Sequence, residues 1–155
     1  MKKTRFPELG PNHRRGISTT LAFLDEALGE FEQWARGRET GGVLYRERNT
    51  LSPVQRKKLL SEIAAMRDVL RELREALALQ ATTQDAAESI WGRCSALREH
   101  LVELTGRHLR RYGAPPPGLA DYLNPKVEEL LRRLDRISSV VSGKTADDPS
   151  NSRPT

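Results

Sequence analysis

The chain has 155 residues, 37% hydrophobic and 30% charged, with a formal net charge of +5. It is long enough for one domain with its own core, and its one cysteine, Cys94, excludes an internal disulfide and fits a reducing cytoplasm. No stretch approaches the roughly 20 apolar residues of a membrane span, and Pro7, Gly10 and Pro11 stand where a signal peptide needs an apolar run, so the expectation is a cytoplasmic protein with no membrane partner.

Residues 1–16 read as a basic, flexible arm: they contain proline and glycine and show no periodicity. Ser18 or Thr19 then caps a first helix, about 18–36, with the seam Leu21, Leu24, Leu28, Phe31 and Ala35 and with Gly37 as its stop. Residues 37–51 form a long connection whose Val43, Leu44 and Tyr45 are too apolar for a bare linker, and long loops of this kind are often functional.

The second helix, about 53–79, has a full set of start signals. Ser52 is the N-cap, Pro53 takes the position that needs no amide donor, and Gln55 closes a capping box. Leu59, Ile63, Met66, Leu70, Leu73 and Leu77 form its seam. Leu60, Val69 and Ala76 widen that seam beyond what a two-stranded coiled coil needs.

A turn at 80–83 leads into a third helix, about 84–112, along Ala87, Ile90, Cys94, Leu97, Leu101, Leu104 and His108. The run APPPG at 114–118 cannot be helical, and Asn124 with Pro125 starts a fourth helix, about 125–142. From 143 to 155 the tail is polar and turn-rich, with the composition of a disordered segment. The expected fold is all-α: an up-down-up-down four-helix bundle over 17–142 with two long central helices, in which both long loops share one end.

Charge is uneven along the chain. Residues 36–58 carry seven cations against two acids, residues 107–111 three cations and no acid, and the arm five cations against one acid. Everything else is acidic on balance. Phe31, Trp34, Tyr45, Tyr112 and Tyr122 map to the same end, so a candidate binding surface comprises Tyr45, Arg46, Arg48, Arg56, Lys57, Arg107, His108, Arg110, Arg111 and Tyr112. Arginines with interleaved aromatics bind phosphates by charge and bases by stacking, which makes nucleic acid or an acidic protein the expected partner of a non-enzymatic binding or adaptor protein. A competing explanation makes the aromatics core plugs under two loops and the arginines a solvated rim. In another, Leu60, Val69, Trp91 and Val102 pair with a second copy in a structural homo-oligomer.

Catalytic motifs for nucleotide, zinc, thiol or serine chemistry are absent from the sequence, and no cofactor or metal is implied. The residues three before His13, His100 and His108 are Gly10, Leu97 and Thr105, which does not give the Glu-x-x-His of di-metal bundles. Cys94 lies mid-seam, where a small buried hydrophobe belongs. The spacing of Arg93 and His100 is similar to the Arg-x4-6-His pairing of all-α HEPN-type ribonucleases, which implies an alternative role as catalytic residues in RNA cleavage. In that family a polar residue commonly follows the arginine; here it is Cys94.

Overall fold

A computed structural model of the chain describes residues 6–143; the basic residues 2, 3 and 5 of the arm and the tail from 144 lie outside the described residues. The fold is all-α, with α1 Pro11–Ala35, α2 Pro53–Leu77, α3 Ala86–Val102, a 3-10 segment Gly106–Tyr112 and α4 Leu119–Val141. Contacts divide the chain into two compact units, Met1–Thr83 and Gln84–Thr155. Each holds one helical hairpin, α1 with α2 and α3 with α4.

In the first unit the hairpin is antiparallel. The Ser18 hydroxyl near the start of α1 donates to the Gln80 carbonyl just past α2 (3.1 Å), and Arg67 of α2 pairs with Glu32 of α1 at 2.6 Å. Leu28, Ala35 and Ile63 are its buried residues, all on the expected seams. The capping box at Ser52 forms as the sequence indicates, with the Gln55 amide on the Ser52 hydroxyl at 3.2 Å and the Ser52 amide on the Gln55 side chain at 2.8 Å.

α1 begins at Pro11, not at Ser18. Pro11 supplies the start because a first-turn proline gives up no hydrogen bond and presets the helical φ. The hydroxyls expected to cap are used elsewhere: Ser18 reaches Gln80, while Thr19, like Thr20 beside it, bonds back to a carbonyl one turn earlier. Residues 11–16 are therefore helix rather than arm.

In the second unit Asp85 caps α3, its side chain accepting from the Glu88 amide at 3.0 Å. Cys94, Leu109 and Val127 are buried, and Arg98 of α3 pairs with Asp135 of α4. α3 stops at Val102, ten residues short of the expected end. The interruption centres on Gly106, whose φ of 53° leaves the helical region, and 106–112 continues as 3-10. The apolar seam runs across this break, so periodicity alone conceals it.

The long pair is thus α1 and α2, each 25 residues, rather than the two central helices. α4 starts at Leu119 after Gly118, and Pro125 lies inside it rather than at its start. The turn at 80–83 is also longer than expected, spanning 78–85 between α2 and α3.

Candidate functional site

The connection after α1 is an ordered β-hairpin. α1 ends in a Schellman motif: the Arg38 amide donates to the Gln33 carbonyl and the Gly37 amide to the Trp34 carbonyl, each at 2.9 Å, with Gly37 at φ 98°. The chain then doubles back. Gly41 pairs with Arg46 in an antiparallel bridge, flanked by Gly42 amide to Tyr45 carbonyl (2.9 Å) and Glu47 amide to Thr40 carbonyl (2.7 Å). Val43 and Leu44 form the two-residue tip.

The Glu47 carboxylate organises the base of this hairpin. One oxygen accepts from Arg38 Nη2 at 2.8 Å. The other accepts from the Thr40 amide (3.1 Å), Trp34 Nε1 (3.2 Å) and Arg38 Nε (3.3 Å). The Arg38 guanidinium also lies over the Trp34 ring, 5.0 Å from its centroid, and Trp34 stacks on Phe31. Hydrogen bonds from Arg38, helped by those from Thr40 and Trp34, hold the Glu47 carboxyl down at about 2 even though partial burial pushes it upward. Pairing with Glu47 raises Arg38 in turn.

Asn49 fixes the return strand. Its side-chain amide donates to the Trp34 carbonyl at 2.8 Å and the Arg38 carbonyl at 2.9 Å, while its backbone amide donates to Glu39 at 2.9 Å. Arg56 closes the join to α2, with Nε on the Leu51 carbonyl at 3.1 Å. Its guanidinium packs so closely on Gly37 that an added Cβ there would lie 3.0 Å from Nη1.

The ten residues of the candidate surface divide equally between the two units. In the first, Tyr45, Arg46, Arg48 and Lys57 are exposed, while Arg56 is half-buried and engaged in the fold. Neither Arg46, Arg48, Lys57 nor Lys58 has an acidic partner among the described residues. Of the acids nearby, Glu30 and Glu47 are engaged by Arg38, Glu32 by Arg36 and Arg67, and Glu39 by the Asn49 amide, while Glu62 stands one turn beyond Lys58 on α2. In the second unit Arg107, His108, Arg110, Arg111 and Tyr112 belong to the 3-10 segment, not to the end of α3. Arg111 reaches Glu103 at 3.7 Å, His108 is half-buried and Tyr112 is exposed.

The aromatics split. Trp34 is a half-buried anchor, as a plug under a loop should be, whereas Tyr45, Tyr112 and Tyr122 point to solvent. Arg93 and His100 are both exposed on α3, two turns apart on one face, and Cys94 beside them is buried. Sequence reasoning missed Glu47 and Asn49 as organisers. No short-range signature marks them, because the loop residues are Val43 and Leu44 rather than the glycine or asparagine pair that announces a tight hairpin. Among the described residues no group of three or more His, Cys, Asp or Glu could hold a metal, and no helix is long and apolar enough to cross a membrane. Comparison with protein-family models, curated proteins and solved structures finds no match to this chain.

Proposed function

We propose that this chain is a non-enzymatic nucleic-acid-binding protein whose contact element is the 37–51 hairpin with the first two turns of α2. The observation that carries this reading is the set of exposed cations Arg46, Arg48, Lys57 and Lys58. They surround a hairpin whose own acids, Glu39 and Glu47, are both engaged within it. Lys57 and Lys58 stand exposed in the second turn of α2. Phosphate contacts of this kind supply sequence-independent affinity through counterion release.

Fluorescence anisotropy with labelled DNA and RNA tests the reading. Wild type is compared with a variant in which Arg46, Arg48, Arg110 and Arg111 are all changed to Glu. The variant should bind far more weakly; equal binding would remove the basic surfaces from the account. Binding to an acidic protein but to no nucleic acid would transfer the same surface to a different class of partner.

A second reading is favoured by the exposure of Val69 (53%) and Trp91 (54%) on their helices. Apolar side chains left open in this way suit pairing with a second copy. Light scattering at high concentration should then give a dimer mass insensitive to salt, and a monomer throughout would exclude it.

A further inference from the structure

Val43 and Leu44 are 99% and 97% exposed at the hairpin tip, the most exposed large apolar residues among those described. They do not fold back onto the unit, and the chain behind them is held by the Gly41–Arg46 bridge, the Glu47 carboxylate and the Asn49 amide. At about 3.3 Å per residue, Arg46 lies roughly 7 Å and Arg48 roughly 13 Å behind Leu44 along the strand. The element is therefore an apolar point with cations behind it. It projects outward, so its partner must supply the groove.

Resting on the nucleic-acid reading above, we infer that Val43 and Leu44 form a wedge that enters the minor groove of duplex DNA and props open a base step. Arg46 and Arg48 meanwhile hold the flanking phosphates. The minor groove is about 6 Å wide and about 7.5 Å deep, so an inserted tip brings Arg46 level with the phosphates on the side of the returning strand, with Arg48 next along that strand. Apolar wedges backed by cations unstack a step and bend the duplex, and the step that yields most easily is one already mismatched.

Three other partners fit less well. Single strands are held by stacking, but Tyr45 is the hairpin's one aromatic. The Cδ1–Cε1 side of its ring lies against Gly42, where an added Cβ would lie 2.7 Å from Tyr45 Cε1, and a single ring offers one stacking platform rather than a row. A lipid surface would bind the cations. Val43 and Leu44 together, however, carry about half the carbons of a myristoyl chain, which alone anchors only marginally. An acidic protein face would pair the arginines and set carboxylates against the aliphatic tip, a mismatch that costs free energy.

The experiment measures anisotropy and end-to-end energy transfer on a duplex DNA of about 20 base pairs, matched or carrying one central mismatch. The single strand, the corresponding duplex RNA, and vesicles of phosphatidylcholine with phosphatidylglycerol serve as further probes. Wild type should bind the mismatched DNA about tenfold more tightly than the matched and shorten its end-to-end distance. The Val43→Ser/Leu44→Ser variant, altered only at exposed positions and checked for unchanged circular dichroism, should lose the preference and the bend while keeping the salt dependence.

Equal affinity of wild type for the two DNA duplexes, or bending retained by the variant, would overturn the wedge and leave nucleic-acid binding standing. A preference for single strands or duplex RNA would do the same. Binding to the vesicles and to no nucleic acid would overturn both.

Discussion

Residues 37–51 and 103–118 both join helices with arginines, a tyrosine and glycines, yet an internal carboxylate organises only the first. In 37–51, Glu47 takes hydrogen bonds from Arg38, Thr40 and Trp34, and Asn49 ties the return strand to two carbonyls of the outgoing chain. In 103–118, the described ion pair is Arg111 with Glu103 at 3.7 Å, and the path is set by Gly106, Gly113 and Gly118 at positive φ with the prolines between. The cationic composition of the two is alike. What distinguishes the hairpin is that its acids bind its own framework and leave Arg46 and Arg48 free on a fixed scaffold, so a ligand need not meet the entropy cost of ordering it.

Removing the carboxylate should erase that difference most completely. Glu47→Gln keeps the shape but loses the charge-assisted bonds to Arg38, and amide exchange at Gly42 and Glu47 should accelerate by about tenfold or more while α3 and α4 amides stay unchanged. Exchange as slow as in wild type would show that the backbone pairing holds the hairpin by itself.

Acid offers a reversible version of the same change. The Glu47 carboxyl is held at about 2 against an ordinary 4.5, a lowered folded value. Its contribution is fully present above pH 4.5 and is lost as pH falls toward 2. Trp34 fluorescence, which senses the indole bond to Glu47 in the folded protein, should be flat through pH 5 and 4 and change only as pH approaches about 2. A transition near neutrality would contradict the assignment.

The glycines should separate the two connections by a smaller margin. Gly37→Ala must place a side chain at φ 98° and against the Arg56 guanidinium, so a loss of about 2 kcal/mol is expected in denaturant titration. Gly106→Ala meets no atom within 4 Å and bears only the strain of its φ of 53°, about 1 kcal/mol. The reverse order would mean that the 3-10 segment is the more constrained of the two.

Local signals in the sequence read through to the structure wherever one short stretch decides the outcome. Ser52, Pro53 and Gln55 specify their cap from four consecutive residues, and Leu28, Ile63 and Cys94 are buried where their seams place them. The readings that differ involve competing local signals. Pro11 starts α1 ahead of the hydroxyls at 18 and 19, α3 ends at Val102 inside an unbroken apolar period just before extended Thr105 and Gly106 at positive φ, and Pro125 is carried within α4. At the candidate site the exposed arginines were legible, but the part played by Glu47 was not. Its partners lie seven to thirteen residues away across a turn, a spacing that no helical or strand period encodes.

The salt dependence of DNA binding tests the central claim most directly. If Arg46, Arg48, Lys57 and Lys58 each neutralise one phosphate, the logarithm of affinity should fall against the logarithm of salt concentration with a slope of about −3.6. In Arg46→Glu/Arg48→Glu that slope should shrink by about two units, while Arg110→Glu/Arg111→Glu leaves it nearly unchanged. A slope unaltered by the hairpin variant, or lost in the second variant instead, would contradict the assignment of the 37–51 hairpin as the contact element.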